Sequence, residues 1–247
     1  MHPIVYYILI FLAIGGGGMA IANKNAGEKV RKERWLKYFT YIFITGVVVL
    51  GIFYSFIQWV GISIVIAGLM ELIKVNSKSQ DRPAITAVVF FVFLLVAAGF
   101  ILFIQAFQHS FLLFIYFQVL VFDGFCQITG QLFGKHQLAP GISAAKTVEG
   151  LIGGLIFCLI AAIMCANWIN ISWVAALQFG FMTALSSFIG DMLASWYKRK
   201  VNVKDYSNWL PGQGGFLDRF DSFLMTGAFY YLPYLFIFKD RFESFII

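Results

Sequence analysis

The sequence predicts an all-α polytopic membrane protein with about eight transmembrane helices. The 247 residues are 60% hydrophobic and only 12% charged, a composition typical of chains that lie in a bilayer rather than in water. Long apolar runs recur along the chain, and lysine and arginine are concentrated in alternate connections. We expect one integral membrane domain, within which residues 1–110 form an N-terminal helical region and residues 111–247 carry the polar motifs.

Eight apolar runs are long enough to cross about 30 Å of hydrocarbon. They cover residues 3–22, 36–57, 58–74, 85–107, 110–133, 149–168, 172–195 and 222–238. The second and third runs are nearly continuous, so a ninth crossing is compatible with the sequence. The first run lacks a small-residue cleavage site and is expected to remain as a span.

The basic residues predict the orientation of these spans. Of the 18 lysines and arginines, all but Lys239 and Arg241 fall in the connections after the first, third, fifth and seventh runs. Because positive loops stay on the cytoplasmic side, the motif loops are predicted to be cytoplasmic and the N-terminus outside, in the inner (plasma) membrane. The net charge of +6 is then explained by topology and by anionic membrane lipids, and no nucleic-acid partner is expected.

Single residues in the first spans have structural interpretations. Gly15 to Gly18 give the first helix a smooth face for close packing, and residues 23–37 form a short charged connection. Glu71, near the cytoplasmic end of the third helix, is either functional or simply close enough to the helix end to reach water. Cys126, Cys158 and Cys165 have no metal-ligand spacing and are expected to be small buried hydrophobes.

Two later helices carry polar stripes. Residues recur every four positions in the fifth helix as Asp123, Gln127 and Gln131, and in the seventh as Ser187, Asp191 and Ser195. Since residues four apart share a helix face, each stripe is predicted to face a polar interior rather than lipid.

The longest polar segment, residues 195–222, connects the last two helices and has the features of a phosphate site. The turn from Pro211 to Gly215 lets backbone N–H groups approach an anion closely. Asp218 and Asp221 share one face if the last helix begins nearby. Such a carboxylate pair beside several cations can hold Mg²⁺ and the phosphates that it neutralises. Solvated loop charges that cap a helix are the alternative interpretation.

This segment resembles the signature of the phosphatidate cytidylyltransferase (CDP-diacylglycerol synthase) family. The family pattern is Ser, two residues, Lys-Arg, four residues, Lys-Asp, then Pro-x-His-Gly-Gly, two residues, Asp-Arg, one residue, Asp. The matching positions are Ser195, Lys198, Arg199, Lys204, Asp205, Pro211, Gly214, Gly215, Asp218, Arg219 and Asp221. Gln213 replaces the family's His, and glutamine can form hydrogen bonds but cannot carry a proton near neutral pH.

A second segment, after the fifth helix, is similar to the same family. The matching residues are Asp123, Gly130, Gly134, Lys135, Ser143, Lys146, Thr147, Glu149 and Gly150. Ala144 and Ala145 depart from the family's Pro and Lys, which weakens one expected phosphate contact. From the residues alone, Thr147 is expected to cap the sixth helix, with Glu149 in its first turn.

The resemblance implies transfer of CMP from CTP to phosphatidate in phospholipid biosynthesis. It implies one or two Mg²⁺ ions held by Asp218 and Asp221 with Asp191 or Asp123. Catalytic roles fall to Asp218, Asp221, Asp191, Lys198, Arg199 and Arg219. Substrate contacts fall to Ser143, Lys146, Thr147, Ser195, Lys204, Asp205, Gln213, Gly214 and Gly215.

Three other functions remain open. A related enzyme could activate a different lipid phosphate with CTP, and a degenerate paralogue could bind substrates without turnover. A transporter would also bury carboxylates, although the chain has no internal repeat. A homodimer is compatible with the sequence.

Overall fold

The computed structural model describes residues 3–24, 27–77 and 83–236. Within these ranges the chain forms eight α-helices and a short antiparallel hairpin. The helices are α1 (Pro3–Asn23), α2 (Glu28–Phe53), α3 (Ile57–Asn76), α4 (Pro83–Ala106), α5 (His109–Phe133), α6 (Val148–Ala166), α7 (Trp173–Lys200) and α8 (Leu217–Phe236), and the strands are β1 (Gln137–Ala139) and β2 (Ser143–Thr147). Seven helices, α1 to α7, are long and apolar enough to span a membrane. The predicted all-α membrane fold is confirmed, and the hairpin is an unpredicted addition.

Two helices extend beyond their predicted ends into polar sequence. α2 begins at Glu28 instead of residue 36, and Lys32 pairs with Glu28 at 2.7 Å one turn later. α7 continues to Lys200 instead of residue 195, because Tyr197 and Lys198 in its last turns are buried. The predicted connections are therefore wrong at residues 28–37 and 195–200, which are helical, since a search for apolar runs detects only the part of a helix that hydrocarbon surrounds.

The break between the second and third predicted spans is real. α2 ends at Phe53, and Ser55 has a left-handed backbone conformation with a φ of 60° before α3 begins at Ile57. At the other end of the chain, α8 begins at Leu217 rather than residue 222. Asp218 and Asp221 consequently lie in the first turns of a helix. This is the helix start on which the prediction of a shared face depended.

α5 is the central helix of the molecule. Every residue from Phe111 to Phe122 is buried, whereas α1 lies at the periphery. α6 approaches α5 closely because Gly153 and Gly154 leave no space for a side chain: a Cβ at Gly154 would lie 2.2 Å from Cys126 Sγ. Small residues at a helix interface let backbones approach in this way.

Helices from both predicted regions share one core. α4 packs along α8, where Gly99 lies against Ala228 and the ring centroids of Phe100 and Phe223 are 5.0 Å apart. The Tyr230 hydroxyl, buried in the same core, donates to the Phe179 carbonyl at 2.8 Å and pairs with Thr183 at 2.9 Å. The N-terminal helices thus form part of the support for α8.

Some predictions concern residues outside the described ranges. They are Lys78, Arg82, Lys239 and Arg241, which entered the charge count, and the predicted end of the last span at residues 237–238.

Candidate active site

Three carboxylates from three helices meet near the polar connection between α7 and α8. Asp123 on α5, Asp191 on α7 and Asp221 on α8 lie close enough to interact electrostatically. Asp221 Oδ1 accepts the Ser222 N–H at 2.8 Å, and Asp123 Oδ1 accepts from the Ser222 hydroxyl at 3.3 Å. The stripe of α7 and Asp123 of α5 therefore face this region, as predicted. The prediction is wrong for Gln127 and Gln131, which are exposed, because the end of α5 projects beyond its packing partners.

Lys146 forms an ion pair with Asp191. Its Nζ lies 2.7 Å from Asp191 Oδ2, while the Ser195 hydroxyl donates to Asp191 Oδ1 at 3.3 Å. Lys146 lies in strand β2 of the hairpin, two residues before α6 begins, and the hairpin therefore positions its side chain. An ion pair in this partly buried place is screened less by water than a surface pair.

Asp218 performs a different task from Asp221 although the two share a helix. Its Oδ1 accepts a hydrogen bond from Lys198 Nζ at 2.6 Å, and its Oδ2 accepts the N–H groups of Tyr206 and Gly215 at 2.8 and 2.9 Å. Its side chain is only 1% exposed. Both oxygens are thus engaged in holding the connection between α7 and α8, residues 201–216, which we call the signature loop.

The glycine turn of the signature loop depends on backbone conformations that favour glycine. Gly212 and Gly214 have φ values of 71° and 86°, a region that costs energy for residues with a Cβ. The Leu210 N–H donates to the Gly214 carbonyl at 2.9 Å and closes the turn. Gly215 is in tight contact with Glu71, because a Cβ at this position would lie 2.5 Å from Glu71 Oε1.

Glu71 is the site residue that the motifs did not include. It is completely buried, so its proposed access to water is wrong. Its carboxylate accepts hydrogen bonds from the Ser207 hydroxyl at 2.5 Å and from the N–H groups of Phe216 and Leu217 at 2.9 and 2.8 Å. A carboxylate at the end of a transmembrane helix was the sequence signal that could have identified it.

Gln213, the departure from the family pattern, binds α2. Its Nε2 donates to the Lys37 carbonyl at 2.6 Å, and the Thr40 hydroxyl donates to the Pro211 carbonyl at 3.2 Å. The side chain at this position therefore attaches the glycine turn to an N-terminal helix, a role that does not need a titrating group.

The start of α6 is organised by the second motif. Thr147 Oγ1 accepts the Gly150 N–H at 3.1 Å, which confirms the predicted cap. Glu149 accepts the N–H groups of Lys135 and His136 at 3.1 and 3.2 Å, and so fixes the chain where it leaves α5. These residues shape the hairpin that presents Lys146.

The remaining predicted residues lie around this centre. Arg199 spans two segments, since its Nε donates to the Ile142 carbonyl at 3.0 Å and its Nη1 to the Val203 carbonyl at 3.1 Å. Ser143 lies in β2, beside that contact. Lys204, Asp205 and Arg219 are exposed at the surface of the site.

Tyr206 is a buried residue of the signature loop that contacts α7. Burial raises the pKa of Tyr206 well above its usual value, so its phenol stays neutral and donates to the Ala194 carbonyl at 3.1 Å.

An apolar groove of about 300 Å³ opens beside the signature loop, between α2 and α3. Its lining residues are Phe43, Ile44, Val47, Val48, Trp59, Val60, Ser63, Ile64, Leu210, Phe216 and Phe220. Phe43 and Trp59 are 71% and 72% exposed at its outer side, whereas Phe220 is buried. Phe220 precedes Asp221 in α8, so the groove borders the helix turn that also carries this carboxylate.

The fold and the site define a polytopic membrane protein whose polar centre combines buried carboxylates with lysine side chains. The sequence profile of the cytidylyltransferase family matches residues 4–238. The chain therefore belongs to the cytidylyltransferase family, and the match extends the resemblance into the N-terminal helices.

Several curated relatives are named phosphatidate cytidylyltransferase. One from Staphylococcus saprophyticus is 42% identical over 118 residues, which are 47% of this chain and 45% of the relative. One from Staphylococcus aureus is 36% identical over 135 residues, 53% of this chain and 52% of the relative. One from Haemophilus influenzae is 38% identical over 137 residues, 52% of this chain and 48% of the relative. Each match thus covers about half the length of the relative.

Proposed function

We propose that this protein transfers CMP from CTP to phosphatidate, giving CDP-diacylglycerol and pyrophosphate. A phosphate oxygen of phosphatidate attacks the α-phosphorus of CTP, and the bond from that phosphorus to the bridging oxygen of the β-phosphate breaks. The bonding electrons leave with pyrophosphate. The observation that carries this proposal is the convergence of three carboxylates and two lysines in a member of the cytidylyltransferase family.

The positive charges of the site would reduce the electrostatic repulsion between the two substrates. A lipid phosphate and a nucleotide triphosphate repel one another, so fixed cations are needed where charge spreads in the transition state. Lys146 is held by Asp191 and Lys198 by Asp218. With Arg199, Lys204 and Arg219 they would bind the phosphates. No general base is needed, because the attacking phosphate is already ionised near neutral pH.

Magnesium is the metal that these residues fit, with Asp221 as the best-placed ligand. The described residues contain no preformed group of three or more potential ligands, but Mg²⁺ is usually held by one or two carboxylates together with substrate phosphates and water. Among the residues that the structure describes, Ser222 is the hydrogen-bond donor to both Asp221 and Asp123, and the oxygens of these carboxylates are the ligand type that Mg²⁺ prefers. When bound, one or two ions would supply positive charge to the reacting phosphates. Asp191 would assist, whereas Asp218 is occupied by three donors.

The groove between α2 and α3 supports a lipid substrate. Its walls are almost entirely apolar, and Phe220, which lines it, lies in the same helix turn as Asp221. An acyl chain could therefore lie in the groove while its phosphate reaches the polar centre. CTP would enter from the opposite, polar side, past Lys204 and Asp205.

The distribution of basic residues supports a cytoplasmic location for this polar side. Lys29, Arg31 and Lys32 are exposed at the start of α2, where they would contact anionic lipid headgroups. The motif loops would then face the compartment that holds CTP, with the N-terminus outside, in a bacterial inner membrane.

The test is pyrophosphate release from CTP by purified protein with phosphatidate and Mg²⁺. Asp221→Asn should reduce turnover by about 100-fold or more, because a neutral amide holds the metal poorly, and unchanged turnover would contradict the metal assignment. Glu33→Gln on the exposed face of α2 is the matched control. Release only with another lipid phosphate would favour the related activity, and CTP binding without release would favour the degenerate paralogue.

A further inference from the structure

Glu71 stands out because α3 is far from the motifs in sequence, yet its carboxylate lies at the centre of the signature loop. It is 136 residues from Ser207 and 145 from Phe216. All three groups that donate to it are uncharged. A carboxylate buried at this depth is expensive unless a specific structure compensates it.

The compensating structure is the beginning of α8. The first N–H groups of any helix lack partners within the helix, and its N-terminus carries partial positive charge. Many helices satisfy these groups with a Ser, Thr, Asp or Asn at the preceding residue. Here the preceding residue is Phe216, which has no side-chain acceptor, and Glu71 Oε1 and Oε2 receive the N–H groups of Phe216 and Leu217 instead. A side chain of α3 thus caps α8.

Glu71 also connects the two ends of the signature loop. It binds Ser207 at one end and residues 216–217 at the other. Asp218 acts in parallel, since it binds the neighbouring N–H groups of Tyr206 and Gly215. The two carboxylates therefore bind adjacent residues in the same two segments, 206–207 and 215–217, and the loop geometry is set jointly by α3 and α8.

We propose that Glu71 is a positioning residue that sets where α8 begins and thereby places Asp221 and Arg219 in the site. This role rests on the proposed function, and it assigns a task to an N-terminal helix that lies outside both motifs. Glu71 acts through α8 and touches no substrate. Gly215 makes this arrangement possible, because any side chain there would collide with the Glu71 carboxylate.

The decisive variant is Glu71→Gln, which keeps the shape of the side chain but replaces one acceptor oxygen by an N–H₂ group facing a backbone N–H. We expect kcat for pyrophosphate release to fall by about 10- to 100-fold, since small misplacements of catalytic groups have effects of this size. The KM for CTP should change by less than about threefold, because the charged residues that bind nucleotide remain. The Mg²⁺ concentration needed for half-maximal activity should rise.

Hydrogen exchange provides a readout that does not depend on the reaction. Exchange at Phe216 and Leu217 should become faster in Glu71→Gln, while amides in the middle of α4 and α5 stay protected. Ser207→Ala, which removes one of the three bonds, should give a smaller change in the same direction. Ser77→Ala, at the exposed end of α3, where the hydroxyl donates to the Lys74 carbonyl of the same helix at 2.8 Å, should change neither exchange nor kcat.

The outcomes separate this inference from the proposed function. If the unaltered protein releases no pyrophosphate but Glu71→Gln still speeds exchange at α8, the proposed activity fails and the structural role of Glu71 stands. Unchanged exchange and unchanged kcat in Glu71→Gln would overturn the inference. If Glu71→Gln does not fold, Ser207→Ala decides the question, and normal exchange at residues 206–217 in that variant would equally overturn it.

Discussion

Gly190→Ala should impair turnover and also cost stability, because the added methyl group overpacks the contact between α7 and α8. Gly190 lies on α7 where α8 crosses it, and a Cβ at this position would lie 2.6 Å from the Asp221 carbonyl oxygen and 2.7 Å from Met225 Cβ. Ordinary contacts of a Cβ begin at 3.4 Å, so α8 would have to move by roughly 0.8 Å. Neither neighbouring atom belongs to the end of a flexible side chain, and the displacement would be passed directly to Asp221.

The magnitude follows from this displacement. A misplacement of about 1 Å can reduce an enzymatic rate by about 100-fold, so kcat should fall by about 10- to 100-fold. The substitution itself favours a helix by up to about 1 kcal/mol, because alanine has a higher helix propensity than glycine. This gain offsets only part of the roughly 1–3 kcal/mol that overpacking costs, so kcat is measured at a temperature at which the variant is still folded.

The assay compares kcat for pyrophosphate release with the thermal unfolding midpoint in the same detergent. Gly46→Ala on α2 is the matched control, since a Cβ there meets nothing within 4 Å, and it should keep full activity. A Gly190→Ala protein with unaltered kcat would refute the idea that the approach of α7 and α8 fixes Asp221.

Two further predictions concern the buried ion pair between Lys198 and Asp218 and the apolar groove between α2 and α3. Lys198→Met should lower the stability by about 3–5 kcal/mol, because it leaves the buried Asp218 carboxylate without its cation. Lys32→Met, which breaks an exposed pair with Glu28, should cost less than about 1 kcal/mol; equal unfolding midpoints for these two variants would contradict the burial argument. Val47→Trp should fill the groove and raise the KM for long-chain phosphatidate severalfold while the KM for CTP and for a short-chain phosphatidate stays the same. The same substitution at Val88, which is 61% exposed on α4, is the control, and equal effects in both would argue against acyl binding in the groove.

The sequence by itself determined the membrane fold and most of the helix positions. The number of apolar residues needed to cross hydrocarbon fixes the length of a span, and the polar stripe through Asp191 indicated which face of α7 turns inward. In α5 the same argument holds for Asp123 but not for Gln127 and Gln131, which are exposed. The fixed spacing of the signature and the glycines at positions 212 and 214 likewise indicated the site from local sequence, because each reflects a local requirement of the backbone.

Only the tertiary structure decided how the site is held. Glu71 meets Ser207 across 136 residues, and Gln213 meets Lys37 across 176. The division of labour between Asp218, which holds the loop, and Asp221, which faces the other carboxylates, also follows from partners on other segments. Such contacts arise from the packing of whole helices, which no local pattern of residues specifies, and the buried polar groups must satisfy one another wherever that packing brings them together.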